Sequence, residues 1–553
     1  MIRPGSTPNS INGGGNGTVL NPLGAVPTPT YTDGDWGFNL VGNNAVIVSY
    51  SGTGGNIIVP STVNDGSTDR TVVGIGTGNS GETVLDNANI SANSTLTLPN
   101  TLTYIKEYAF QNCTNITGNL TIPDTCQSIN DYAFYGCTGL TGSLDLSHVN
   151  NKLGNSAFAN CSGFNGSITL PSTTVYDGCF KRTGFTSIIW PSGTITLRSD
   201  TFTYSSLTGT LTIPANVKMN SSSNNHFSNC DGLTEVIWNS PSDINYIDFA
   251  YCSNIHTFTM NSGNNISGRE AFRNCTSLEN ITLSPTLKSI GYDTFNGCSS
   301  LESITIPDSV KKLGTLPYEG NGMFYNCTSL VEINISDNSQ LETIGYRVFS
   351  GVKATNINIP SGVKEIGAYA FSDSYIESFT APTNLTSHTL LDGCFTNCSR
   401  LKNVNLNSIT TLGQVSGYTG VFSGCTALEK IIIPESMVEI KNNAFENCTN
   451  LNDVIVVGSP TISSNAFTGS GVKQVLNLGD TDITTTSYGM PANAEIRQGD
   501  DAMLGCLGYV SATEYTEDAR NTGAVYDALA LIPILMVVGI LMVSVGAFIT
   551  MRK

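Results

Sequence analysis

Charge is scarce in this chain of 553 residues: Asp, Glu, Lys and Arg together make up 12% of it, against roughly 25% in an ordinary soluble domain. Basic side chains are the scarcer kind, 25 against 43 acidic, and the net charge is −18. Binding a phosphate backbone requires clustered lysine and arginine that displace counterions, and no such cluster occurs, so nucleic acid is not an expected partner. Histidine is rarer still. His148, His226, His256 and His388 lie far apart and never at a ligand spacing such as His-x-x-x-His, so neither a metal nor a cofactor is expected. The amino terminus, Met1-Ile2-Arg3-Pro4-Gly5-Ser6-Thr7-Pro8, lacks the apolar stretch of a secretory signal. What the chain has in quantity is Gly, Asn, Ser and Thr, a hydroxyl- and amide-rich surface.

Phenylalanine supplies the order. Sixteen of them, from Phe110, Phe134, Phe158 and Phe180 to Phe445 and Phe467, recur at intervals of 22 to 29 residues. A unit this short cannot bury its own apolar face and must stack on its neighbours, which predicts a solenoid. Sixteen turns at about 4.8 Å each would make a rod on the order of 75 Å long. Eleven of these phenylalanines are followed three positions later by cysteine; the other five have Thr183, Ser205, Val352, Ser374 and Ser470 there. All are small. The slot therefore selects for volume, and stacked side chains with parallel Cβ vectors cannot close a disulfide, so free buried thiols are expected. Cys179 and Cys394 precede a repeat phenylalanine, where alanine stands in other turns, and are read as core filler.

One cycle can be followed from 431 to 451. Ile431-Ile432-Ile433 is a strand ended by Pro434; Val438 and Ile440 are expected to turn inward; Asn443-Ala444-Phe445 is expected to be one helical turn or tight bend that sinks the ring; Leu451 closes the cycle. The residue before each ladder cysteine is Asn in seven cases and Gly in three, with Tyr251 the exception. Asn and Gly tolerate a left-handed backbone, which predicts a positive-φ corner. This grammar of strand, Pro, Val, Ile-Gly, Ala-Phe-x-Asn/Gly-Cys-Thr-x-Leu, close to consensus at Lys364-Glu365-Ile366-Gly367-Ala368-Tyr369-Ala370-Phe371, resembles the BspA-like branch of the leucine-rich repeat family over about residues 96–479, with a similar cap before it. The resemblance implies an α/β repeat solenoid, one β-strand plus a short helical turn per repeat, and a non-catalytic microbial cell-surface protein of the adhesin or surface-antigen kind.

The ends differ from the array. Residues 1–33 are a low-complexity leader, 34–95 a β-rich cap with strands around Val46-Ile47-Val48, Ile57-Ile58-Val59 and Thr71 to Ile75, and 480–526 a Thr-, Asp- and Gly-rich stalk that carries Cys506. Residues 527–550 hold the uncharged run Ala528 to Thr550, long enough to cross a hydrocarbon layer of roughly 30 Å as one transmembrane helix. The basic tail, 551–553, then places the carboxyl end in the cytoplasm and the repeats outside the cell. With no signal in view, a signal upstream, another export route or a cytosolic array behind a tail anchor are the alternatives; the hydroxyl-rich surface and the basic tail favour export.

Two repeats are long, with extra residues Gly314 to Gly322 and Gln414 to Gly420 at the same point of the cycle, four turns apart. Solenoid insertions tend to share a functional face, so Tyr318, Glu319 and Tyr418 are the candidate ligand-binding residues. Seventeen Asn-x-Ser/Thr sequons occur, six of them by-products of the Asn-Cys corner; Asn16, Asn89, Asn93 and Asn220 lie outside the ladder and are the candidates for glycosylation. Gly76-Thr77-Gly78-Asn79-Ser80-Gly81 has dinucleotide-loop spacing but no amphipathic helix after it to align its amides. The expected partners are host, matrix or neighbouring-cell proteins or glycans, with the membrane reached through the carboxy-terminal helix. A carbohydrate-active β-helix enzyme is the alternative from a different class, although it needs convergent carboxylates that are not found on neighbouring turns. A structural coat or envelope component is the third.

Overall fold

The computed structural model describes residues 28–499 except 221–223, 267–268, 315–319, 415–418, 481 and 485–487. The chain divides into two units, Met1–Leu301 and Glu302–Lys553. The first begins with an antiparallel meander, Tyr31–Asp33, Trp36–Val41 and Asn44–Tyr50, whose alternating apolar residues bury Phe38, Ala45, Val46, Ile47 and Val48. Asn44–Tyr50 then pairs in parallel with Asp69–Ile75, which pairs in parallel with Tyr104–Ile105. The cap thus hands its hydrogen-bonding edge directly to the first repeat.

Each repeat contributes to two parallel ladders, because chain that returns every 22 to 29 residues brings like segments side by side in the same direction. In the first unit one ladder runs through Ser128–Ile129, Lys152–Leu153, Thr174–Val175, Ile195–Leu197 and Val217–Met219. The other includes Gly209–Ile213, Leu233–Trp238, Thr257–Met260 and Asn280–Thr282. In the second unit the corresponding ladders include Thr389–Leu390, Thr411–Leu412, Glu439–Ile440 and Thr461–Ile462, and Lys430–Ile433, Asp453–Val456, Gln474–Asn477 and Glu495–Gln498. The last of these strands falls in the stretch read as a stalk. Pro434 ends its strand at Ile433 as expected.

The expected short helical turn is corrected. Among the described residues every regular element is a strand, and the bend that carries the phenylalanine is a pair of tight turns. Asn443 and Asn447 both have positive φ, 61° and 57°, and a helix needs an unbroken run of negative φ. Its amides accordingly bond across turns, not along the chain: Phe445 N–H donates to the Ala466 carbonyl at 2.8 Å, as Phe110 N–H does to Ala133 at 2.7 Å. The corner before cysteine is as expected, with φ of 58° at Asn112, 56° at Asn274, 76° at Gly424 and 63° at the exceptional Tyr251. Cys113 N–H donates back to the Phe110 carbonyl, so Asn112 is the third residue of a turn of the type II kind, where positive φ is required. A second such corner, two residues before phenylalanine, was not anticipated: Tyr108, Ile247, Glu270 and Arg347 adopt φ of 62°, 49°, 61° and 52°. Val438 is also corrected. It is 64% exposed, while its neighbour Met437 is buried in the position Val310 fills in an earlier turn.

The phenylalanine rings form the core. In the first unit consecutive centroids lie 5.0 Å apart at Phe110–Phe134 and 5.6 Å at Phe272–Phe295, near parallel; in the second they lie 5.1 Å apart at Phe371–Phe395 and 5.0 Å at Phe445–Phe467. This is offset stacking. The described cysteines are all free and buried, and they do more than fill volume. Cys137 Sγ donates to the Phe110 carbonyl of the preceding turn at 3.0 Å, Cys275 to Phe249 at 3.1 Å, Cys398 to Phe371 at 3.0 Å and Cys448 to Phe422 at 3.1 Å.

Truncation of Phe272 to alanine is expected to cost about 3–5 kcal/mol in urea unfolding, whereas Val438→Thr should stay within about 0.5 kcal/mol. Burial pushes the Cys230, Cys275 and Cys448 thiols up to about 12, while an unfolded thiol titrates near about 8.5. The folded value lies above the unfolded one, so the thiols' contribution is complete below about pH 8.5 and is lost as pH rises through the interval between the two. Melting temperature followed from pH 7.5 to 11 should fall progressively above about pH 8.5; a flat profile would mean the thiols are not held neutral.

Candidate functional site

The candidate residues from the long repeats, Tyr318, Glu319 and Tyr418, lie outside the described residues, as do Asn16, Cys506 and the segments 1–27 and 500–553, including the expected transmembrane run. No helix among the described residues is long and apolar enough to cross a membrane. Asn89 and Asn93 are exposed and Asn220 is half-buried. The Gly76 to Gly81 loop is followed by turns and bends; its Thr77 and Asn79 line a cap cleft of about 340 Å³ with Glu82 and Lys106.

The outward positions of the strands carry the hydroxyl- and amide-rich face. Along Ser303–Ile306 and Glu332–Ile335 the pattern alternates, with Ser303, Thr305, Glu332 and Asn334 exposed over Ile304, Ile306, Ile333 and Ile335. Ser378 and Thr380 continue it, then Asn403 and Asn405. Period-two alternation of this kind is what a strand with one buried face requires. Among the described residues no three of His, Cys, Asp and Glu are grouped to hold a metal ion, and the described thiols are spent in the core.

The edge formed by the turns before phenylalanine is different in kind, being built of tyrosine and arginine. In the first unit Arg269 lies over Tyr292 at 5.3 Å and Tyr246 at 6.0 Å. It also shares Glu270 with Arg273, at 3.0 and 3.1 Å, and these contacts raise the Arg269 guanidinium pKa above its ordinary value. In the second unit Arg347 lies 5.2 Å from the Tyr346 ring centroid and 5.3 Å from that of Tyr369. The ends of the two long insertions border this second cluster. A Cβ on Gly322 would come within 2.5 Å of the Arg347 carbonyl oxygen, and the Tyr369 hydroxyl donates to Thr419 Oγ1 at 3.4 Å. Sequence reasoning found the insertions by their length and missed the cluster, because Tyr346, Arg347 and Tyr369 stand in the repeat positions nearest the insertions only once the turns are stacked.

A buried polar pair was also missed. His226 and Asp248 occupy the position before phenylalanine in consecutive turns, where alanine usually stands, and His226 Nδ1 lies 2.7 Å from Asp248 Oδ1 with neither side chain exposed. Asp248 also accepts the backbone N–H groups of His226 and Asn245. The signal was available in the shared repeat position, but only by reading the two turns as a column.

A family model described as BspA type leucine rich repeat region matches in six copies, over residues 87–208, 173–268, 195–322, 320–418 and 389–488. No curated protein matches the chain. Among solved structures, a leucine-rich repeat protein from Bacteroides ovatus is 18% identical, covers 85% of this chain and 100% of its own, and has a TM-score of 0.40. A leucine rich cell surface protein from Faecalibacterium prausnitzii is 21% identical, with 88% and 99% covered and a TM-score of 0.27. The pneumococcal vaccine antigen PcpA is 14% identical, with 88% and 98% covered and a TM-score of 0.29.

Proposed function

The chain belongs to the BspA-type leucine-rich repeat family, and from that premise we propose that it is a membrane-anchored surface protein whose repeats recognise host, matrix or neighbouring-cell proteins or glycans without catalysis. The observation that carries this is the division of labour in each turn. Rings, thiols and backbone donors are consumed between turns, at Phe445 and Cys448 as at Phe110 and Cys137. The outward Thr, Ser and Asn of the strands and the tyrosine-arginine edge remain for contact. An extended array of hydrogen-bonding groups on a fixed scaffold suits recognition, and exposed tyrosine and arginine are the side chains most often dominant in binding energy. Membrane attachment is assigned to Ala528 to Thr550.

Protease treatment of intact cells tests orientation and exposure together. The repeats should be lost while a fragment carrying the basic tail survives; full protection of the repeats until the cells are lysed would reject a surface role.

A further inference from the structure

We propose that Arg347, clasped by Tyr346 and Tyr369, is the carboxylate-reading residue of a site for acidic sugars on the turn edge of the second unit, an inference that rests on the recognition role above. The two rings meet edge to face, with centroids 5.9 Å apart and an interplanar angle of 79°, and the guanidinium lies about equally far from both, at 5.2 and 5.3 Å. Contact with two rings fixes the plane of the guanidinium without consuming its N–H donors. Among the described residues Arg347 Nε has no hydrogen-bond acceptor, as is also true of Arg198 Nε, but no described carboxylate lies within ion-pair distance of the Arg347 guanidinium, whereas Arg198 has Asp177 at 3.3 Å and Arg269 has Glu270 at 3.0 Å. In a chain with 43 acidic residues to 25 basic ones, an arginine clasped by two rings and without a carboxylate among the described residues is set up to receive one from outside. The side chain is half-buried, and a carboxylate meets a guanidinium fork with two parallel bonds.

The surroundings choose the kind of carboxylate. Tyr346, Tyr369 and Thr419 present phenol and hydroxyl groups and aromatic surface at the cluster, which match the hydroxyls and the C–H faces of a pyranose ring. One cation on a protein of net charge −18 does not suit a phosphate dianion or a polyanion, which need several cations and meet long-range repulsion. An acidic peptide would need an apolar pocket for its anchoring side chains, whereas the cluster offers tyrosine phenols and the Thr419 hydroxyl. A uronate-type sugar, with one carboxylate per ring amid hydroxyls, fits.

Calorimetric titration of the full-length chain in mild detergent with trigalacturonate tests this. Wild type should bind it, and the methyl-esterified trisaccharide should bind at least tenfold more weakly. Arg347→Asn places at φ 52° a residue that accepts this backbone readily, so the variant should melt no lower than wild type yet lose at least tenfold in affinity. Should it melt lower, Arg347→Lys carries the test: it keeps the charge and loses the fork, and it should bind at least threefold more weakly. Absence of wild-type binding, equal binding of the ester, undiminished binding by a well-folded Arg347→Asn or by Arg347→Lys, or tighter binding of a hexaglutamate peptide would each overturn the site. If the protein adheres to cells or matrix yet ignores trigalacturonate, the carboxylate site fails while the recognition role stands; if the repeats prove protected inside the cell, the role itself fails.

Discussion

Where cysteine fills the slot, the carbonyl oxygen of the preceding turn's phenylalanine has both its lone pairs used, as at Phe110, Phe249, Phe371 and Phe422. The Phe422 oxygen accepts Cys425 N–H at 3.1 Å from its own turn and Cys448 Sγ at 3.1 Å from the next; the Phe110 oxygen accepts Cys113 N–H and Cys137 Sγ in the same way. The first bond closes the corner, and the second ties that corner to its neighbour. Between them they place the ring, set the stacking distance and force the residue before cysteine into the left-handed region. Where the slot holds Thr183 the hydroxyl instead donates to the Phe180 carbonyl of its own turn at 2.8 Å, and Ser470 Oγ meets no partner among the described residues, so the cross-turn bond belongs to the thiols. A thiol is suited to the task because it is apolar enough to bury and still offers a weak S–H.

The same arrangement accounts for the residues that look strained. Tyr108, Ile247 and Arg347 carry positive φ without being Asn or Gly, a conformation that costs on the order of 1–3 kcal/mol in isolation. Their backbone N–H groups are satisfied across the turn, Tyr108 to Asp131, Ile247 to Arg269 and Arg347 to Ala368, so stacking over-determines a geometry that the side chain disfavours. Because this corner is held by its neighbours, its side chain is free to vary, and the outer edge of the array is where tyrosine, arginine and glutamate collect. Core and contact surface are therefore separable, the first made by the repeated Phe and the small side chain three residues after it, the second by whatever stands two or three residues before the ring.

That separation explains what was legible in the sequence. The spine and the Asn/Gly corner could be read directly, since the spacing is long and unusual and left-handed tolerance belongs to the residue type. The second corner could not, because Tyr, Ile, Glu and Arg carry no such signature and are held by cross-turn bonds. The helical turn was misjudged for the same reason: local sequence around Ala444 suits a helix, but the amides bond to the next turn. Met437 and Val438 are adjacent and both apolar, and only the ladder register decides that the first points in. At the surface, unusual repeat length marked the two insertions, yet the Arg347 cluster and the His226–Asp248 pair exist only between turns, where a linear reading does not look.

Native-state hydrogen exchange on the intact chain measures the cross-turn bonding itself. The amides of Phe422 and Phe445 should exchange only with the largest opening of their unit. Cys448→Val keeps a side chain that the slot tolerates at Val352 but removes the donor, and it should speed exchange around Phe422 by about fivefold, equivalent to about 1 kcal/mol. Spine amides that exchange as fast as those of the outer turns, or a Cys448→Val protein with unchanged rates, would contradict the account.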